Sequence, residues 1–381
     1  MILQSCSTSL VACNIYITSA ASAALPSLLS RAQDHCRQLR LVQQQHIIRS
    51  DETKESNAAI AAIVHAYADI PYDRSSFHLA GRSDCVAEVA IQLIQNAVNE
   101  IELKKNDEND PPKKLESRHP FVGLVDHVSI MPITIANQES GPTNPATSTA
   151  TAAAAAAREI GSQIDQSNRI KVHYYGLACP NHTPLATVRR KTSFFRSGAH
   201  DSSHINNDED QEQAAVEEFD KGECTIGAPL DFVENYNIRL TSNVDFSTAK
   251  TLTQELRGRN IATKGMGVVG VEALTLPYNR HVDEGGNVYE VACNLLEPKV
   301  GSVDKIEVEL EKWIEKQKQQ LVKNEERDDR YNRDYFIDKA YRVGTTEEQC
   351  LSVLKNADED GYWMQYDQQV YSRFNDFLGQ R

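Results

Sequence analysis

Apolar residues in the first half of the chain follow two different periods. Short runs of alternating or clustered apolar residues predict strands at residues 10–18, 59–66, 75–81, 122–133 and 170–175. Residues 84–103 instead place apolar side chains three or four positions apart, which predicts a helix with Ser83 as its N-cap. This order of strands and helix favours an α/β or α+β fold.

The second half repeats the same kind of pattern. Strands are predicted at residues 231–240, 268–276 and 287–296, and helices are predicted to begin near Ser247 and after Ser302. We therefore expect two similar subdomains, each with a mixed β-sheet covered by helices.

Three polar segments interrupt these patterns. Residues 104–117 are charged and contain a Pro-Pro step, residues 137–151 form a Ser/Thr/Pro/Gly linker, and residues 201–222 are acidic enough to predict disorder. The net charge is −14, and residues 201–223 alone contain nine acidic residues and one lysine. The acidity therefore belongs largely to appendages, and no basic surface typical of nucleic-acid binding is predicted.

Eight cysteines are scattered without a Cys-x-x-Cys pair, which argues against a zinc ribbon and predicts reduced, intracellular thiols. The eleven histidines show no ligand spacing, so no metal site is predicted. The first thirty residues lack a charged start and an unbroken apolar run, and a first strand is preferred there to a secretion signal. No transmembrane helix is expected.

Gly265, Gly267 and Gly270 have the spacing of the dinucleotide fingerprint G-x-G-x-x-G. That motif requires a strand before it and a helix after it, whereas here a predicted helix precedes it and a predicted strand follows. Dinucleotide binding at these glycines is therefore not predicted.

Asp126 interrupts the apolar strand of residues 122–133. If the strand is regular, it shares one face with Val122, Leu124, Val128 and Ile130. A buried carboxylate needs partners, so it either accepts backbone N–H groups from a nearby loop or serves the function of the protein.

Polar residues also align on two strands of the second half. Asn235, Asn237 and Arg239 share one strand face, as do Glu290 and Asn294 on another strand. This face either meets solvent or lines a cavity closed by a second sheet.

Several ordered motifs resemble one known family, the N-terminal subdomain of formiminotransferases. The segment "RHPFVGLVDHVSIMPI" at residues 118–133 resembles its His-Pro-Arg-Met-Gly-x-x-Asp motif, and "DRSSFHLAG" at 73–81 resembles its Asn-Arg-Ser strand. The segments "VHYYGLA", "LATVRR", "TIGAPLDFVENYNIRL" and "YEVACNLLEPKVG" follow in the family's order. The last segment is similar to stand-alone members without a cyclodeaminase domain.

The resemblance implies sheets that face one another across a folate tunnel, within a cytoplasmic homodimer. The family reaction transfers a formimino group from N-formimino-L-glutamate to tetrahydrofolate, in the breakdown of histidine. His119 matches the catalytic histidine of the family, and imidazole suits a general base near neutral pH. Gly123 and Asp126 would support the site, and substrate or folate would contact Arg74, Tyr175, Gly176, Asn235, Asn237, Arg239 and Asn294.

The same alignment implies the organisation of the chain. Residues 1–200 would form the N-terminal-like subdomain with loops at 104–117 and 137–151, and residues 201–222 an acidic insertion. Residues 223–322 would form the C-terminal-like subdomain, and residues 323–381 an extension. Tetrahydrofolate is expected as co-substrate, with no metal, nucleic acid or membrane as partner.

This chain differs from the family motifs at several positions. The first strand lacks the family's Pro-Asn-Phe-Ser-Glu-Gly ending, Phe121 replaces an arginine, and His65 and Tyr67 stand where the family has acids. Two hypotheses follow: a folate-dependent transferase with His119 as base, or a catalytically impaired family member that binds folate or a partner.

Overall fold

The computed structural model describes residues 9–50, 60–102, 119–134, 145–167, 169–192, 194, 219–258, 267–278, 288–322, 331–356 and 361–379. The chain divides into two compact units. Unit 1 comprises Met1–Glu108, Pro120–Leu230 and Thr346–Arg381, and unit 2 comprises Asn109–His119 and Asp231–Thr345.

Unit 1 is built on a six-stranded mixed sheet. Its strands are β1 (Leu10–Ile17), β2 (Ala61–Asp69), β3 (Arg74–Arg82), β4 (Val125–Pro132), β5 (Lys171–Gly176) and β6 (Glu223–Ala228). They lie in the order β2-β3-β1-β4-β6-β5. The pairs β4/β6 and β6/β5 are parallel, and the other pairs are antiparallel.

Helices cover one face of this sheet. α1 (Leu25–Ser50), α2 (Ser83–Glu100) and α3 (Pro145–Asp165) pack against it, and α4 (Leu185–Lys191) contacts β5 and β6. The core side chains include Ile15, Phe77, Leu93 and Ile130, because alternate residues of each strand point toward the helices. α8 (Glu347–Lys355) and α9 (Tyr362–Gly379) contact the edge strand β2.

Unit 2 is smaller. β7 (Glu234–Leu240), β8 (Val271–Pro277), β9 (Tyr289–Leu295) and β10 (Ile337–Val343) form a sheet in the order β10-β7-β9-β8. α5 (Phe246–Leu256) and α6 (Val303–Val322) pack apolar residues against those of the strands to form its core, and α7 (Arg333–Phe336) leads into β10. Trp313 is fully buried there and donates its indole N–H to Thr251 Oγ1 at 2.8 Å.

The predicted α/β (α+β) fold with two sheets is confirmed, with differences in detail. The second sheet is wholly antiparallel and not mixed. Ser83 is the first helical residue, and Arg82 occupies the N-cap position without a side-chain cap. Residues 145–151, predicted as linker, already belong to α3. The rest of both predicted loops and most of the acidic segment lie outside the described residues.

Domain boundaries also differ from those expected. Residues 223–228, assigned to the second subdomain, form β6 inside the first sheet, because Cys224, Ile226 and Ala228 face the helical core of unit 1. The C-terminal extension is shared between the units, with β10 in the second sheet and α8 and α9 in unit 1. None of the helices in the described ranges is long and apolar enough to cross a membrane.

Candidate functional site

The face of the first sheet opposite the helical core carries a row of six rings, here called the ring row. Its members come from five strands, and neighbouring ring centroids lie 5.4–6.1 Å apart. The members are Tyr16, His65, Tyr67, His78, His127 and Tyr175. Alternation explains the row, since Cys13, Ile15 and Ile17 of β1 enter the core while Tyr16 points the other way.

A glycine allows the row to continue across β6. A Cβ atom on Gly227 would lie 2.4 Å from Cδ1 of Tyr175, so only glycine leaves room for this ring. The Tyr175 hydroxyl then donates to Ser129 Oγ at 3.0 Å, and its ring stacks on His127 at 5.4 Å. β4, β6 and β5 are thereby joined on the ring face.

Asp126 lies on this ring face and not on the apolar face that a regular strand predicts. Tyr16 pairs with His127 and Ile17 pairs with Val125, which leaves Asp126 as the extra residue of a β-bulge. The bulge shifts the alternation by one position, so Val125 and Val128 enter the core. The regular-strand prediction for Asp126 is therefore wrong.

The Asp126 carboxylate is 1% exposed and well supplied with partners. It accepts a hydrogen bond from Arg74 Nη2 at 2.7 Å and another from the Val122 backbone N–H at 3.0 Å. Arg189 Nη2 lies 3.9 Å away. The predicted hydrogen bond from a nearby backbone N–H is present, together with two guanidinium groups that offset the cost of burying this charge.

Arg74 links this ion pair to the ring row. Its guanidinium carbon lies 4.2 Å from the centroid of the Tyr16 ring, a cation–π contact. One carboxylate thus faces two arginines beside an aromatic surface, which gives the middle of the row a positive character.

The end of the ring row on β2 and β3, formed by His65, Tyr67 and His78, is uncharged at neutral pH. Burial, reinforced by the nearby charge of Arg373, lowers the pKa of His65 to about 4. Burial also holds the pKa of His78 well below its usual value, with His65 adding to the effect. Burial raises the pKa of Tyr67 well above its ordinary value. Protonated histidine is therefore absent from this end at pH 7.

A second polar cluster occupies the sheet of unit 2. Glu290, fully buried, accepts hydrogen bonds from Asn237 Nδ2 and the Tyr341 hydroxyl, both at 2.7 Å. Arg239 Nη2 donates to the Tyr341 hydroxyl at 2.8 Å and lies 3.5 Å from Glu290 Oε2. The Arg239 guanidinium also stacks on Tyr278 at 3.8 Å. This arginine therefore already has a carboxylate partner.

The remaining predicted amides bond to each other. Asn235 Nδ2 donates to Asn294 Oδ1 at 2.7 Å, across the β7/β9 pair. The structure thus brings together all four predicted residues of the second half with Glu290 of the same polar face, and it adds Tyr341 to them. Tyr341 could not be found from the second-half strands alone, because it lies in the predicted extension.

The other predicted site residues lie at turns and strand ends. His119 and Phe121 are half-buried in the stretch that leads into β4. A Cβ atom on Gly123 would lie 2.3 Å from the Glu223 carbonyl oxygen, and Gly176 has a φ of 58° at the end of β5. Both glycines permit close approach of two backbones.

The sequence reasoning missed most of the ring row. Tyr16, His78 and His127 were not chosen, although Asn14 and Tyr16 on β1 and Ser76 and His78 on β3 show the same alternation that identified Asn235 and Asn237. This alternation is a local signal for the ring-row residues on β1 and β3. His127 needed the bulge at Asp126 to be known.

Two sheets, each with a polar face opposite an apolar core, define an α+β protein. Residues 42–229 match the family model "Formiminotransferase domain, N-terminal subdomain", so this part of the chain is similar to that subdomain. The matched range contains every ring-row residue except Tyr16.

Two known proteins align with this chain. A formiminotransferase cyclodeaminase-like protein of Arabidopsis thaliana is 25% identical over 260 residues, which are 65% of this chain and 76% of that protein. Among solved structures, the periplasmic protease PqqL of Escherichia coli aligns with 97% of this chain and 41% of its own, at 10% identity and a TM-score of 0.17. A likeness at that score carries no argument about fold or function.

Proposed function

We propose that the chain is a folate-dependent one-carbon transferase, which moves a formimino group from N-formimino-L-glutamate or a related donor to tetrahydrofolate. The observation that carries this proposal is the family match over residues 42–229, which includes the His119-Pro120 step. The proposal places the reaction in the cytoplasm, within a homodimer and in histidine breakdown.

His119 is the proposed general base. When the folate nitrogen bonds to the formimino carbon, it loses a proton, and the bond from that carbon to the glutamate nitrogen breaks. An imidazole can take up the first proton and return it to the departing glutamate nitrogen, so that no net proton is consumed. The half-buried position of His119 ahead of β4 is compatible with this role.

The two polar sheet faces supply the proposed substrate contacts. On unit 1, Arg74 and Tyr175 stand beside rings on which a planar heterocycle can stack, and Gly176 ends the same strand. On unit 2, Arg239 and the amides Asn235, Asn237 and Asn294 offer donors and acceptors to the polar part of a ligand. Asp126 and Gly123 act as supports.

A second function is favoured by the ring row itself. His65 and Tyr67 replace family acids and are uncharged at pH 7, and Phe121 replaces a family arginine. A site that has lost these charges can still bind a planar folate ring without transferring the formimino group. The alternative is therefore a catalytically impaired family member that acts as a folate-binding or interaction protein.

One experiment separates these functions. Purified full-length protein is mixed with tetrahydrofolate and N-formimino-L-glutamate, and formimino-tetrahydrofolate is measured for wild type, His119→Ala and His182→Asn. His182 is exposed, and asparagine tolerates its φ of 49°, so this variant is the matched control.

Product formed by wild type and by the control, but not by His119→Ala, supports the transferase and its base. Product that is unaffected by His119→Ala removes His119 from the proposed role. Absence of product together with thermal stabilisation by tetrahydrofolate favours the folate-binding alternative. Absence of both rejects the transferase and the folate-binding function together.

A further inference from the structure

Asn14 lies at the middle of β1, on the same face as the ring row. Its side chain is 4% exposed, and its Oδ1 atom has no hydrogen-bond partner among the residues that the structure describes. Buried polar atoms are nearly always paired with protein or with another molecule, because an unmet acceptor lowers stability. This oxygen therefore requires an explanation.

The polar side chains opposite Asn14 make hydrogen bonds to other residues. Across the strand pairs, Asn14 lies opposite His78 on β3 and Ser129 on β4. His78 Nε2 is hydrogen-bonded to Ser76 Oγ at 2.8 Å, and Ser129 Oγ accepts from the Tyr175 hydroxyl at 3.0 Å. Neither contact reaches the Asn14 oxygen.

The neighbouring residues of β1 on the same face, Ala12 and Tyr16, do not donate a hydrogen bond to Asn14 Oδ1 either. Ala12, two positions earlier on β1, pairs with Ala80, and their methyl groups cannot donate a hydrogen bond. Two positions later, the nearby Asn14 side chain lowers the Tyr16 pKa, against the larger effect of burial, as a donor beside the tyrosine oxygen does. The Asn14 oxygen itself has no hydrogen-bond partner among the described residues.

The surroundings indicate what kind of group this oxygen would accept. The rings of Tyr16, two positions along β1, and of His78, directly opposite on β3, lie 6.1 Å apart beside the Asn14 position. A ligand at this point must present an N–H group while lying against aromatic rings. A planar heterocycle with a ring N–H or an exocyclic amino group has both properties.

We propose that Asn14 is a specificity-determining residue, whose carboxamide oxygen accepts a hydrogen bond from an N–H group of a planar heterocyclic ligand on the ring row. The inference rests on the proposed function in one respect: the pterin ring of tetrahydrofolate belongs to this chemical class. It goes beyond the family match, because Asn14 lies outside residues 42–229.

The test compares ligand pairs that differ in one N–H group. Full-length wild type is titrated calorimetrically with tetrahydropterin, with analogues methylated at single nitrogens, and with the pairs cytosine/N4,N4-dimethylcytosine and adenine/N6,N6-dimethyladenine. The same titrations use Asn14→Leu, which is similar in size but has no acceptor, and Asn14→Ala in case leucine impairs folding. Asn99→Leu, an exposed change on α2, is the control.

For at least one pair, wild type and Asn99→Leu should bind the N–H form about tenfold more tightly than the methylated form, the factor typical of one hydrogen bond to a buried acceptor. Both Asn14 variants should bind the two forms equally. Equal binding by wild type, a preference that persists in the Asn14 variants, or no binding at millimolar ligand would overturn the inference and leave an ordered water as the partner.

These results are independent of the transfer assay. Formimino transfer with a Michaelis constant for tetrahydrofolate unchanged by Asn14→Leu would refute the role of Asn14 and leave the proposed function intact. If the protein neither transfers formimino groups nor binds tetrahydrofolate, but its ligand preference depends on Asn14, the proposed function is refuted and the role of Asn14 stands.

Discussion

Acidification from pH 7 to pH 5 should destabilise unit 1 through His65. The imidazole lies within 6.3 Å of the rings of Tyr67, His78 and Phe377, and Arg373 on α9 adds positive charge nearby. Burial and this charge lower the His65 pKa from 6.5 to about 4 in the folded protein. A charged His65 is therefore disfavoured by the fold.

The sign and size of the effect follow from proton linkage. Between pH 6.5 and pH 4 the unfolded chain binds a proton at His65 and the folded chain does not, so stability is full above pH 6.5 and falls as the pH is lowered. At pH 5 the loss from this residue is about 2 kcal/mol, and below pH 4 it approaches about 3 kcal/mol. His78, whose pKa is also lowered by burial, adds to the loss.

Urea unfolding at pH 7 and pH 5 measures this loss, with His65→Phe as the test variant because phenylalanine keeps a ring but cannot be protonated. We expect His65→Phe to lose about 2 kcal/mol less than wild type over this range. The exposed His182→Asn variant should follow wild type. An equal loss in wild type and His65→Phe, or an NMR titration that places the His65 pKa near 6.5, would refute the reasoning.

Two further predictions concern buried contacts of unit 1. Asp126→Asn keeps the shape of the side chain but removes the charge opposite Arg74, and should lower the free energy of unfolding in urea by about 3–5 kcal/mol. The loss should be smaller when Arg74 is already replaced by methionine. Equal losses in both backgrounds would contradict an energetic pairing of the two residues. Phe374→Ala should cost about 3–5 kcal/mol, because this fully buried α9 ring packs on Phe77 at 5.6 Å. The exposed Met364→Ala should have little effect, and equal small losses in both α9 variants would show that α9 does not dock.

The segments of regular structure could be predicted well from local patterns. The helix of residues 83–100 and the strands β3 and β9 lie close to their predicted limits, because their periods are visible within a dozen residues. β6 was missed as a member of the first sheet. Its parallel partners, β4 and β5, lie 91 or more and 47 or more residues earlier in the chain, and nothing local identifies them.

Strand faces were predicted correctly only where the pairing is regular. The alternation on β7 is unbroken, and Asn235, Asn237 and Arg239 share a face as expected. On β4 the bulge moved Asp126 to the ring face. On β2 a similar irregularity at Val64 lets Ile63 enter the core while His65 joins the ring row.

The sequence by itself determined those helices and strands that have a clear local period, the family resemblance, and the residues His119, Arg74 and Asp126 as candidates, since periodicity and motif spacing are local properties. Only the tertiary structure decided that Asp126 pairs with Arg74, that six rings from five strands form one row, and that Asn14 has an unmet oxygen. The reason is physical. A bulge, a strand order and the burial of an amide all depend on neighbours that are distant in the chain, and the residues of a single strand do not identify those neighbours.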